Sequence, residues 1–281
     1  LGANTTGSSN TSMGKDALLV NTTGTDNTAV GFNSLDANTT GTLNTAVGRF
    51  SLSANTTGGK NVAIGGNSLF SNTEGEFNTA VGYNCLDANT TADNNTAVGY
   101  HALILNTTGT QNVAVGALSA NVQTNNTGIG HQALESNTTG TRNVAVGTQT
   151  LDANTTGSDN NAFGHIALGK ATTASNNCAF GRSAGQEVTT GGSNTLIGHD
   201  AGGNTSTGSS NTFVGRSCGV VCTTGSNNIC IGNQADVTDG SATNRIVIGE
   251  NIDAGANDSF RFGKPSNVVS NIFVSNATFT R

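Results

Sequence analysis

Hydrophobic and polar positions recur on a fixed beat along most of this chain. A pentapeptide of the form Asn-Thr-Ala-Val-Gly ends at Gly14, Gly31, Gly48, Gly65, Gly82, Gly99, Gly116, Gly130, Gly147, Gly164, Gly181, Gly198, Gly215, Gly232 and Gly249. Thirteen of the fourteen intervals between these copies are 17 residues, and one, Gly116 to Gly130, is 14. Residues 31–47, GFNSLDANTTGTLNTAV, show the full unit. Seventeen residues are too few for two packed helices or a propeller blade. They suit one coil of a parallel β-solenoid, with two short strands and two turns. The predicted fold class is all-β, about fifteen coils stacked along an axis.

The first predicted strand is the pentapeptide. Its residue before the glycine is apolar in every copy, as at Val30, Val47, Ile64, Phe163 and Ile197, and is expected to point into the coil. The residue before that is mostly alanine and by strand alternation should face the opposite way. A strand apolar on both sides implies burial on both sides. Ala29, Ala46, Ala63 and Ala80, with the bulkier Leu196 and Phe213, are therefore expected to form an inter-chain face against copies of the same chain.

The second predicted strand centres on Leu18, Leu35, Leu52, Leu69, Leu86, Leu103, Leu118, Leu134, Leu151 and Leu168, a leucine ladder in the core. This position becomes glycine at Gly185, Gly202 and Gly219, and Leu196 and Phe213 are expected to fill the lost volume. Asn precedes the first strand in fourteen copies, with Arg245 the exception, and a second Asn opens the Ala-Asn-Thr-Thr-Gly corner. Asn and Gly are the residues of tight corners. Stacked Asn side chains should hydrogen-bond along the axis, as in ladders of identical residues. At a rise of about 4.8 Å per coil, fifteen coils would make a rod on the order of 70 Å, held by contacts between neighbouring repeats.

Residues 1–249 are thus expected to be the repeat shaft, and 250–281 a cap or transition segment. The second part holds the sole proline, Pro265, with Phe260, Phe262, Phe273 and Phe279, and its alternation in SNIFVSNATFT suggests a strand. A solenoid end must be capped because its strand edge is unpaired. Leu1 and Asn4 fall on the leucine and corner positions, so further repeats are expected upstream.

Composition narrows the chemistry. The 281 residues include 39 Gly and one Pro; 10% are charged, 5% are aromatic and the net charge is −6. Gly, Asn, Thr and Ser disfavour long helices. Lys and Arg are scattered singly, so no nucleic-acid partner is expected. No run approaches the ~18 apolar residues of a membrane helix, so no membrane insertion is expected. No basic, apolar leader opens the chain, and a signal segment is expected to be absent or already removed.

Catalytic, cofactor and metal sites are not expected. His101, His131, His165 and His199 fall one or two residues after the glycine and read as surface side chains. Asp36, Asp87, Glu135 and Asp152 share one repeat position, but no second carboxylate recurs within general-acid reach. The residue before the strand Asn varies, which argues against a repeated calcium cage, and interruptions of the TGT motif argue against a flat ice-binding array. Cys85, Cys178, Cys218, Cys222 and Cys230 read as packing thiols; only Cys218 and Cys222 are close enough to invite a bridge. On a eukaryotic-type secretory route, Asn4, Asn21, Asn38, Asn55, Asn89, Asn106, Asn137 and Asn154 would be glycosylation sequons, although corner geometry alone accounts for the tripeptide. Phe32, Arg49, Tyr83, Tyr100, His131 and Arg216 should form an outward stripe, where weak sugar contact would fall.

The unit NTAVGxxSLxANTTGT resembles two families over nearly the whole chain. One is the left-handed β-roll head of trimeric autotransporter adhesins, whose usual coil is shorter. The other is the shaft of bacteriophage tail fibres, which often precedes a self-cleaving, trimerising chaperone of the endosialidase type. The terminal IFVSNATFTR is similar to the segment before such a cut. Both resemblances imply a parallel homotrimer. The tail-fibre resemblance implies a structural shaft in a virion tail that positions a host-recognition tip, without catalysis and with a cell-surface glycan or protein as receptor. The alternative is a bacterial surface adhesin or extracellular filament.

Overall fold

The computed structural model describes residues 2–118 and 124–272; Phe273, Phe279 and the IFVSNATFTR resemblance lie largely or wholly outside them. The chain is all-β, with no helix among the described residues. It forms a parallel β-solenoid of about fifteen turns, divided between two compact units, residues 1–141 and 142–281.

The first unit contributes eight three-residue strands: β1 (Thr11–Met13), β2 (Thr28–Val30), β3 (Thr45–Val47), β4 (Val62–Ile64), β5 (Thr79–Val81), β6 (Thr96–Val98), β7 (Val113–Val115) and β8 (Thr127–Ile129). Neighbours pair in parallel, one repeat apart, so that Thr28, Ala29 and Val30 lie beside Thr45, Ala46 and Val47. The short interval keeps the same register, with Val113 beside Thr127 and Val115 beside Ile129. The dropped residues therefore come out of the turns, not the strand. The glycine after each strand stands at left-handed φ, 138° at Gly48, and stacks directly on the next such glycine. A Cβ on Gly48 would overlap the Gly65 carbonyl, so any side chain would force the coils apart.

At the leucine positions the expected second strand does not form; only Asp236–Val237 and Asp253–Ala254 pair there, in the last coils. The leucine segments are turns, and the leucines themselves adopt left-handed φ: 50° at Leu35, 50° at Leu52 and 53° at Leu86. Hydrogen bonds still run along the axis there, as from Leu35 N–H to Ser51 O at 3.0 Å. Left-handed backbone costs a non-glycine residue about 1–2 kcal/mol. Here it turns the chain sharply enough to close a 17-residue coil while aiming the leucine inward. The leucine ladder itself is as expected, with Leu18, Leu35, Leu52, Leu69, Leu86, Leu103, Leu134, Leu151 and Leu168 buried. Leu118, in the shortened coil, is half-buried.

The second unit continues the pattern with β9 (Val144–Val146), β10 (Asn161–Phe163), β11 (Cys178–Phe180), β12 (Thr195–Ile197), β13 (Thr212–Val214) and β14 (Ile229–Ile231). A two-residue strand, β15 (Asp236–Val237), precedes β16 (Ile246–Gly249) and pairs in parallel with β17 (Asp253–Ala254). After Gly249 the sequence leaves its beat, yet β18 (Ser259–Lys264) still pairs in parallel with β16, Ile246 beside Phe260. The chain then reverses at Pro265 and Ser266, and β19 (Asn267–Ile272) runs antiparallel along β18. Pro265 sits in the turn, where its missing N–H removes no ladder bond. The returning strand covers the edge that a solenoid would otherwise leave open.

The inward and outward sides of the strand are the reverse of the expectation. Ala29, Ala46, Ala63 and Ala80 have no solvent exposure within the single chain, nor do Leu196 and Phe213. They line the coil interior and form no inter-chain face. The residues on either side point outward: Ile64 is 41% exposed, Val98 37% and Phe180 57%. The physical reason is width. The coil is one side chain across, and the leucine from the opposite turn already fills most of it. Alanine is the size of the space that remains.

Candidate functional site

Each coil sorts its side chains into an interior and two outward surfaces, and the chemistry differs on each. The interior carries two asparagine ladders. At the corner, Asn38 Nδ2 donates to Asn21 Oδ1 at 2.8 Å and to Gly41 O at 3.1 Å. Asn55, Asn72, Asn89 and Asn106 repeat the contact one coil further on, at 2.8–3.0 Å. Before each strand, the Asn44 backbone N–H donates to Asn27 Oδ1 at 3.0 Å, and Asn44 Nδ2 donates to Gly58 O at 2.9 Å. These buried amides satisfy backbone groups that the tight corners would otherwise strand away from water.

This geometry overturns the sequons as sugar acceptors. Asn21, Asn38, Asn55, Asn89, Asn106, Asn137 and Asn154 are all buried, and their amide nitrogens lie inside the coil. A glycan on any of them would open the wall. Asn4, in the first coil, is exposed, but its Nδ2 makes the same corner contact, to Gly7 O at 2.9 Å. The following Thr completes the motif: Thr39 Oγ1 donates to Thr56 O at 3.1 Å. Corner geometry thus accounts for the Asn and the first Thr of the Asn-Thr-Thr tripeptide.

The cysteines do not bridge. Cys218 and Cys222 are buried free thiols. Cys218 Sγ donates to Cys230 O at 2.9 Å, and Cys222 Sγ faces Gly225 O at 3.5 Å. Burial pushes the Cys85 thiol up to about 12 and the Cys222 thiol up to about 11. The contact with Cys218, together with burial, raises Cys230 as well. Thiols held protonated this way are poor nucleophiles. Nearby, burial raises Asp236 to about 6, against the lowering effect of backbone N–H donors from Val237 and Val221. Arg245 replaces the ladder Asn in its coil. Its guanidinium is buried and reaches Asp239 Oδ2 at 2.6 Å and Asn257 Oδ1 at 2.9 Å.

No group of three His, Cys, Asp or Glu side chains able to hold a metal occurs among the described residues. His131, His165 and His199 are exposed on separate coils. His101 stacks on Tyr100 with ring centroids 3.8 Å apart. Of the acids at the shared repeat position, Asp36 and Asp87 stand three repeats apart. Asp36 is held by Ser53 Oγ at 2.6 Å and Asn33 Nδ2 at 3.1 Å.

The first outward surface is the strand face, a column of Thr, Val, Ile and Phe one side chain wide on either side of the buried residue. The second is the turn face, built from positions one, two and five after each glycine. Phe32, Arg49, Tyr83, Tyr100, His131 and Arg216 all lie exposed there, as the sequence predicts. What the sequence reading missed is that three aromatics from successive coils meet. Phe32 and Phe50 cross edge to face at 5.4 Å, and Phe50 and Phe70 at 6.0 Å. Beside them an open groove of about 440 Å³ is lined by Arg49, Phe50, Ser53, Asn67, Phe70 and Asp87. The signal was present: Phe50, Asn67, Phe70 and Asp87 are spaced to stack once positions two and five share a face.

No protein-family model matches the chain, and none of the curated proteins matches it. The class is therefore defined by the fold alone, as a β-solenoid repeat protein.

Proposed function

We propose that this chain is a structural fibre shaft that assembles in parallel with copies of itself, of the kind found in bacteriophage tail fibres, and that it holds a host-recognition tip away from the virion. The observation that carries the reading is the strand face. In both units, the residue before the strand-ending glycine is an outward-facing Val, Ile or Phe from Val30 to Ile248. Chains that act alone seldom expose an apolar line repeated in every coil. A second copy of the same repeat matches its spacing without adjustment. Burying one such half-exposed side chain contributes roughly 1 kcal/mol, and the repetition multiplies it. The resemblance to tail-fibre shafts supplies the number three, and the 17-residue coil favours that family over the adhesin heads, whose coil is shorter.

Sedimentation equilibrium of the chain should give a three-chain mass. Ile64→Glu should shift it toward monomer, whereas Glu74→Lys at an exposed corner should leave it unchanged. A monomer for the unaltered chain overturns the assembly. Antibody raised to the chain should label virion tails; label confined to a bacterial envelope would instead favour the adhesin reading.

A further inference from the structure

We propose that the groove lined by Arg49, Phe50, Ser53, Asn67, Phe70 and Asp87 binds a neutral pyranose sugar. This goes beyond the shaft reading and does not rest on it, because every lining residue belongs to one chain and one compact unit.

The hydrogen-bonding inventory defines the ligand. Asp87 is half-buried, and burial raises its carboxyl above the usual range. No donor among the described residues pairs with that carboxylate, and the only opposing influence is the charge field of His101. Asn67 uses its Nδ2 on Asn84 Oδ1 at 3.0 Å, which leaves its carbonyl oxygen to accept. Ser53 uses its proton on Asp36 at 2.6 Å, which leaves its lone pairs. The groove therefore presents three acceptors in search of donors. Arg49 supplies a fork of donors, and its guanidinium lies 4.5 Å from the Phe50 ring centre.

Charge excludes the other candidates. An anion would meet Asp87, and a cation would meet Arg49, so the lining is neutral as a set. The complement is an uncharged molecule rich in hydroxyl donors with one apolar C–H face for the Phe70 ring. A pyranose has that form. Aromatic rings carry a negative face that attracts such C–H groups, and a few fixed polar groups orient the ligand. The cluster is also local. Turn-face aromatics end at Tyr100, while the strand face repeats in every coil, so the groove does not follow the period that self-association would demand.

Saturation-transfer NMR on the full chain, with lactose, maltotriose and chitotriose as neutral probes and 3′-sialyllactose as the charged one, tests this. At least one neutral sugar should receive saturation through the C–H groups of one ring face. Phe70→Ala and Asp87→Ala should each reduce the transfer at least fivefold with the circular dichroism unchanged, and Phe180→Ala should not. The proposal is overturned if none of the neutral sugars is saturated, if the transfer survives both groove substitutions, or if 3′-sialyllactose binds more tightly than lactose. A monomeric chain that still binds lactose would sink the shaft reading and leave the groove standing.

Discussion

The coils around Ala46 and Leu52 and those around Phe213 and Gly219 fill the same interior with opposite side chains. In the first, the strand gives a small residue and the turn a large one. In the second, the strand gives Phe213 and the turn gives glycine. A Cβ on Gly185 would come within 2.5 Å of Leu196 Cδ1, and one on Gly202 within 2.7 Å of Leu196 Cδ2. On Gly219 it would overlap the Phe213 ring. What stays constant is the filled volume of each layer, as close packing requires. The backbone tolerates the exchange because the turn position is left-handed in both, φ 50° at Leu52 and 69° at Gly219. Glycine adopts that conformation freely.

The polar wall changes in step. The corner Asn of the first unit gives way to Ala171, Val188, Thr205 and Cys222, all buried. From Asn160 onward the other ladder gains side-chain bonds, with Asn177 Nδ2 to Asn160 Oδ1 at 3.1 Å and Asn211 to Asn194 at 3.2 Å. One ladder thus strengthens where its neighbour is lost, and the corner becomes an extension of the apolar core.

The largest expected effect breaks this comparison at its centre. Phe213→Ala should lower local opening free energy by about 3–5 kcal/mol and Leu52→Ala by about 2–5 kcal/mol, read by amide hydrogen exchange. Phe213→Ala with Gly219→Leu recreates the first unit's arrangement, and should lose about 1–3 kcal/mol less than the two single changes together. Strict additivity would show that the two positions do not share a layer. Next, Asn55→Ala strands Asn38 Oδ1 and removes one of the two bonds at Gly58 O and at Asn72 Nδ2, and should cost about 1–3 kcal/mol. Thr205→Val at the equivalent corner removes only the bond to Cys222 O, about 1 kcal/mol. Equal losses would deny that the corner changed its character.

One effect depends on pH. Asp236 has its folded pKa raised to about 6 by burial, above its unfolded value near 3.9. The folded state therefore binds the proton more tightly, and stability should fall as pH rises from about 4 to about 6, then level off. The loss is on the order of 3 kcal/mol, at about 1.4 kcal/mol per pKa unit. Thermal unfolding against pH should show the decline, and Asp236→Asn should abolish it.

Much of this was legible in the residues. The leucine ladder, the stacked asparagines and the outward stripe follow from identity at one repeat position. Even the exchange at Gly185, Gly202 and Gly219 was readable as lost volume refilled by Leu196 and Phe213. That same observation held the clue to the strand's orientation, since a residue that refills a core must itself be inside it. Alternation names two sides without saying which is wet, so by itself it does not place Ala46 inward. A strand was expected where the leucine turns stand because leucine rarely adopts left-handed backbone, and only a closing coil holds it there. The groove escaped because Phe50 and Phe70 occupy different repeat positions and meet only through stacking.

Taken alone, the sequence determined the period, the parallel stacking and which residues form columns, because each is a matter of identity at a fixed interval. Tertiary structure decided which side of a three-residue strand faces inward and which columns become neighbours. Those depend on the width of the closed coil, a length that no single repeat contains.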